Sequence, residues 1–276
     1  AAPYSALTIV STAAWGLGYF GMPHILLRFM AIADEKKLKL SRRVATIWVV
    51  ISLFVAVFIG VIGYTMSKVG ALEMLTGSNS ETIIVKISAL LSQHGVIFAL
   101  LAGVILAGIL ASTMSTSDSQ LLAASSAVSS DILGAFRKDS SNKNGSMAAA
   151  RITLLVISVV AAFIARNPDS SVFAIVSFAW AGFGAAFGPV VLFSLFWKRT
   201  NLPGAVAGIV SGGLFVIIWD YLPILGGQTP YAVTGIYSLL LGFFVSLLCI
   251  VIVSLLTKAP SKEIVDEFES VKTYQE

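Results

Sequence analysis

Long apolar runs alternate with short polar stretches along almost the whole chain. Seven runs are long enough to matter: residues 4–27, 44–67, 95–131, 147–165, 170–197, 202–219 and 232–257. A mostly apolar stretch of about 20 residues spans the hydrocarbon core of a bilayer as a helix. The pattern therefore predicts about seven transmembrane helices. The polar stretches between them are DEKKLKLSRR at 34–43, a connection at 68–94 and RKDSSNKNGS at 137–146. Within 68–94, ETIIVKISALL predicts a short amphipathic helix. The tail, KAPSKEIVDEFESVKTYQE at 258–276, is charged. It reads either as mobile or as a short interfacial helix with Ile264, Val265, Phe268 and Val271 inward.

Composition agrees with the pattern. The chain is 57% hydrophobic and 12% charged, whereas soluble domains are typically about 25% charged. The fold class expected is an all-α polytopic membrane protein. Residues 1–257 form one membrane domain and 258–276 a tail. Cys249 lies in an apolar run and has no partner for an internal disulfide.

Two runs depart from plain hydrocarbon. The first contains WGLGYFGMP, with Gly16, Gly18, Gly21 and Pro23 close together. Glycine and proline at this density weaken or break a helix. A break at membrane depth is tolerated where protein or a water cavity satisfies the freed backbone, and such discontinuous helices hold substrate in many transporters. The alternative is a helix that ends near Gly21, with Pro23 starting a short surface helix.

The third run turns to hydroxyls in its second half. Ser112, Ser115, Thr116 and Ser119 are spaced by three, one and three, which places them on one helical face. Ser126, Ser129 and Ser130 continue near that stripe. Close helix packing by small residues is the commoner use of such a stripe. An ion path is the other, because neutral oxygens replace part of a cation's hydration shell. Ser115 and Thr116 supply two oxygens for a hard cation such as sodium, and the Ser112 carbonyl a third. Asp118, on the same helix, either faces a cytoplasmic vestibule that attracts cations or simply reaches cytoplasmic water. Gly204, Gly208 and Gly212 form a small-residue face expected to serve helix packing alone.

Charge sets the expected orientation. Of the 18 Lys and Arg residues, all but Lys68, Lys86 and Arg166 fall in alternate connections and in the tail. The positive-inside rule makes those segments cytoplasmic, with the tail inside. The net charge of +4 is thus a topology signal and not a nucleic-acid patch. Enzyme chemistry finds no support. His24 follows the broken first span and His94 starts the third on the opposite side of the membrane, and no serine-hydrolase or metalloprotease motif is present. Both histidines read as polar groups at helix ends.

Three segments resemble the sodium/solute symporter family, most of all its sodium/proline symporter branch. They are WGLGYFGMPHILLRFMA at 15–31, MSTSDSQLLAASSA at 114–127 and SFAWAGFGAAFGPVVLFSLFWKR at 177–199. The resemblance implies the second half of an inverted-repeat fold, typified by the bacterial leucine transporter, plus two further helices. It also implies a sodium site with side-chain oxygens from Ser115 and Thr116 and a backbone carbonyl at Ser112. Trp15, Tyr19 and Pro23 match positions that line a proline site. The implied activity is sodium-coupled uptake of L-proline across the plasma membrane by alternating access, with sodium as the coupling ion and no other cofactor. Because membrane-inserted sequence begins almost at Ala1, the chain is expected to be the C-terminal portion of a longer transporter. The missing N-terminal half would then complete both sites. Rival readings are a membrane sensor, a packing or channel-like subunit, and a symporter for another small solute.

Overall fold

Apolar residues with few helix breakers leave the backbone one economical solution in lipid, which is to satisfy its own hydrogen bonds within helices. The computed structural model describes residues 5–133, 143–167 and 171–273 and follows that rule. Among the described residues six helices are long and apolar enough to cross a membrane. Extended pairing among the described residues is confined to an isolated bridge between Leu225 and Gln228. Residues 137–142 of the predicted polar loop at 137–146 lie outside the described residues.

The predicted first run is split into pieces. Helix α1 covers Ala6–Ala13, α2 Trp15–Gly18, and α3 Pro23–Met30, with a 3₁₀ turn at Tyr19–Gly21. None of these is long enough to span a bilayer alone. The chain divides into two compact units, one made of residues 1–30 with 173–276 and the other of residues 31–172.

In the second unit, α4 covers Leu38–Lys68 and α5 covers Ile83–Ser92. The stretch 34–43, expected as a loop, is helical from Glu35 onward. Leucine, lysine and arginine are good helix formers, and Asp34 caps the start by accepting from the Lys36 amide at 3.0 Å. Helix α6 covers Val96–Ser126 and continues as a π-helical turn over Ala127–Ile132. This reproduces the long hydroxyl helix predicted at 95–131. Gly95, at φ +114°, allows the tight reversal between α5 and α6. Helix α7 covers Lys143–Ile164 and packs on α6. Lys86 pairs with Glu73 at 2.7 Å in the connection before α5. The hydrogen bond and charge of Lys86 hold the Glu73 carboxyl below its ordinary range. Glu81 accepts from the Ser171 hydroxyl at 2.6 Å and the Val172 amide at 3.0 Å, tying those residues to the same connection.

In the first unit, α8 covers Val172–Phe196, α9 Leu202–Tyr221, α10 Pro230–Thr234 and α11 Ser238–Leu256. The predicted run at 232–257 is therefore shortened to α11, because Gly235 at φ +65° ends α10 first. Ala181, Ala185, Val216, Leu239 and Phe243 form the core. Helices α9 and α11 pack closely along Gly204, Gly208 and Gly212, as the small-residue spacing predicts. The Ser246 hydroxyl donates to the Gly208 carbonyl at 2.9 Å across this contact. Pro189 sits inside α8 and has no N–H for the carbonyl of Ala185 one turn earlier. Gly212 packs against that carbonyl, where an added Cβ would collide with the oxygen. Asn201 starts α9 by accepting from the Gly204 amide, and it donates to the Thr257 hydroxyl and the Lys258 carbonyl just past α11.

The tail forms α12, Lys262–Thr273. Lys198 reaches Glu269 on it at 3.1 Å. Val265 and Phe268 are half-buried, while Ile264 and Val271, also expected inward, are exposed.

Candidate functional site

The broken first run is shaped by three local choices. Ser5 caps α1 by accepting from the Thr8 amide at 3.1 Å. The helix tightens into the 3₁₀ turn at Tyr19–Gly21, and Met22 is extended at φ −88°, ψ 112°. Pro23 then opens α3, where its missing N–H costs nothing. Glycines let this segment lie close to α8. A Cβ on Gly18 would run into the indole of Trp180, and one on Gly21 into the carbonyl of Phe183.

Around this break the first unit gathers an aromatic cluster. The Trp15 ring stacks on Phe173, Trp180 and Tyr237 with centroids 5.7, 5.5 and 5.8 Å away. Tyr19 meets Trp180 edge-on at 4.9 Å. The Trp180 indole N–H donates to the Trp15 carbonyl at 3.0 Å. Tyr237 ties the cluster down twice. Its hydroxyl donates to the Ser177 carbonyl and its amide to the buried Ser11 hydroxyl, both at 2.6 Å. A cavity of about 370 Å³ opens beside Trp15, with Ser11, Thr12, Ser177 and Asp220 in its wall. Asp220 accepts from the Ser238 hydroxyl at 2.8 Å. The cavity thus offers an apolar aromatic surface beside a few polar groups, the usual make-up of a small-molecule site.

The second unit carries the hydroxyl face. The Ser115 and Thr116 hydroxyls both donate to the Ser112 carbonyl, at 3.0 and 3.2 Å. Three oxygens are thereby held at one point on α6. Each hydroxyl spends its proton on the carbonyl and keeps lone pairs free. Those lone pairs can ligate a hard cation, and all three residues are exposed. Asp118 is exposed as well. Further along, Ser125 and Ser129 are buried, and with Ser126 and Ser130 they line a cavity of about 390 Å³ against Met147 and Ala150 of α7. The π-helical turn there is a recurrent feature of functional helices.

Residues 4–212 match the sodium:solute symporter family. The chain belongs to that family. It is 39% identical over 263 residues to the sodium/proline symporter of Salmonella typhimurium, covering 95% of this chain and 50% of that protein. It is 39% identical over 258 residues to an osmoregulated proline transporter of Bacillus subtilis, covering 94% and 50%. Over 256 residues it is 39% identical to the sodium/proline symporter of Escherichia coli, covering 92% and 48%. The chain spans about half the length of the curated relatives it matches. No solved structure matches it.

Membership makes this a multi-pass membrane protein of a sodium-coupled transport family. Of the residues expected at a solute site, Trp15 and Tyr19 both pack on Trp180, and Trp15 lines the cavity. Tyr19 is 53% exposed and absent from the cavity wall, and Pro23 is exposed at the start of α3. Ser112, Ser115 and Thr116 come together as expected. His24 is the second residue of α3 and His94 follows α5, so both are at helix ends. Sequence reasoning missed Trp180, Tyr237, Ser11 and Asp220. A signal did exist for Trp180, a tryptophan flanked on both sides by alanine in FAWAGFG.

Proposed function

We propose that this chain is the C-terminal membrane portion of a sodium-coupled L-proline symporter of the plasma membrane. The observation that carries the reading is the convergence of the Ser115 and Thr116 hydroxyls on the Ser112 carbonyl. In a member of this family, that arrangement suits partial ligation of sodium, an ion that must also be released. The rest of the ion's shell comes from another part of the transporter. Proline lies along the broken helix. Trp15 covers the apolar ring, the Tyr19 hydroxyl bonds a charged end, and the backbone bend at Pro23 shapes the pocket. Identity to proline transporters supports this choice of solute. Asp118, exposed on the same helix, reaches cytoplasmic water directly or through a vestibule where it attracts cations.

Transport proceeds by alternating access. Sodium and proline favour the same state, so each raises the affinity of the other by the same factor. The inward sodium gradient then drives uptake.

Replacing Tyr19 by Phe keeps the ring and removes one hydroxyl. The expected outcome is weaker proline binding by the worth of one hydrogen bond, about 0.5–1.5 kcal/mol, with membrane insertion intact. Trp15→Ala weakens binding further. Equilibrium proline binding in membranes checks both, and wild-type affinity in both variants removes this helix from the solute site.

The Lys and Arg distribution supports a cytoplasmic location for the 34–43 and 137–146 segments and the tail. Single cysteines at 34–43 should resist an impermeant thiol reagent in intact cells. Labelling from outside reverses the orientation.

A further inference from the structure

Trp180 stands where four separate observations meet, and none of them is a ligand contact. Its indole N–H donates to the Trp15 carbonyl at 3.0 Å. Its ring stacks on Trp15 at 5.5 Å and takes the edge of Tyr19 at 4.9 Å. It also lies over Gly18, so closely that a Cβ there would overlap the indole. Trp15 and Tyr19 are four residues apart and share one helical face. Gly18 lies one residue before Tyr19. A single side chain of α8 therefore touches the broken segment along the whole length that bears the two aromatics.

Trp15 is also held by Phe173 and Tyr237, and Gly21 lies against α8, whereas the Tyr19 ring meets Trp180. The helix tightens into a 3₁₀ turn at Tyr19 and stops at Met22, so the regular backbone ladder ends at Tyr19. Tyr19 is exposed on its other sides. A rigid two-ring side chain that satisfies a backbone carbonyl and packs on both aromatics supplies a further constraint.

We infer that Trp180 is a positioning residue for solute binding: it fixes the orientation of Trp15 and Tyr19 without touching solute. This rests on the reading that the broken helix carries the solute. It goes beyond that reading in assigning solute affinity to a residue on a helix 165 positions away. The ring and the N–H make separable contributions. The ring sets where the two aromatics lie, and the N–H pins the backbone that carries them.

The test uses the full-length transporter in a cysteine-free background, with two independent readouts. The first is sodium-dependent proline uptake. Trp180→Phe keeps an aromatic surface and loses the N–H. It is expected to raise KM by roughly two- to tenfold, the worth of one hydrogen bond, with maximal rate and surface expression unchanged. Trp180→Leu removes both contributions and should raise KM further. The second readout is the labelling rate at Gly16→Cys, a position with open space around it. Labelling should accelerate in Trp180→Leu and change less in Trp180→Phe. Gly18→Ala gives a cross-check. Its damage to KM should be smaller in a Trp180→Leu background than in wild type, because the collision partner is gone.

Wild-type KM in both Trp180 variants, with unchanged labelling, overturns the inference. So does a Trp180→Leu protein that loses only surface expression or maximal rate while KM holds. Absence of proline uptake in the wild-type transporter sinks the choice of solute, and the labelling arm still decides the role of Trp180.

Discussion

Gly21→Ala should abolish most transport, while Gly16→Ala in the same motif should be nearly silent. The two glycines lie five residues apart in WGLGYFG and differ in what surrounds them. A Cβ on Gly16 meets nothing within 4 Å. In a helix, alanine there even gains up to about 1 kcal/mol over glycine. A Cβ on Gly21 meets the Phe183 carbonyl oxygen and sits 2.9 Å from the Gly184 Cα. Both obstacles are backbone atoms of α8, and no rotamer change moves them. The broken segment must lift away from α8, carrying Trp15 and Tyr19 off Trp180. Overpacking of this kind costs roughly 1–3 kcal/mol, and more where the neighbour is rigid. Uptake assays and thermal inactivation in detergent check the pair. Equal behaviour of the two variants shows that α8 does not seat the broken segment as described.

The second large effect concerns sodium. Ser115→Ala and Thr116→Ala each remove one of the oxygens gathered at the Ser112 carbonyl. An oxygen that ligates a cation is worth at least a hydrogen bond to a charged group, about 1.5–3 kcal/mol. Apparent sodium affinity should therefore fall roughly tenfold or more in each single variant. The double variant should lose sodium dependence almost completely. Expression should hold, because both side chains are exposed and their hydroxyls bond only within their own helix. Packing residues give the opposite pattern, with loss of protein and unchanged sodium dependence in whatever survives. Sodium titration of proline uptake, normalised to surface protein, distinguishes the two.

Local pattern made the helices legible. The hydroxyl helix was expected at 95–131 and is found, with its π turn, at 96–132, because a continuous apolar face fixes a span wherever it occurs. The glycines and Pro23 announced the break in the first run, since their backbone preferences act within a few residues. The segment at 34–43 departs from its pattern for a related reason. Its charges suggested a loop, yet lysine, arginine and leucine propagate a helix well past the apolar stretch. The candidate site divided along the same line. Ser115, Thr116 and the Ser112 carbonyl meet within one helical turn, so spacing alone places them together and leaves packing and ion binding both open. Trp180 meets Trp15 across 165 residues, and the Tyr237 amide meets Ser11 across 226. No short-range pattern carries such a meeting. The pairing of Gly212 with the carbonyl left free by Pro189 is equally invisible, although each residue is conspicuous by itself.

The most direct test is proline uptake by the full-length transporter in proteoliposomes under an imposed inward sodium gradient. Concentrative uptake should appear with sodium outside, collapse when sodium is equal on both sides or replaced by potassium, and shift to higher sodium in Thr116→Ala. Uptake that is indifferent to the sodium gradient, or a Thr116→Ala protein with wild-type sodium dependence, would contradict sodium coupling at this helix.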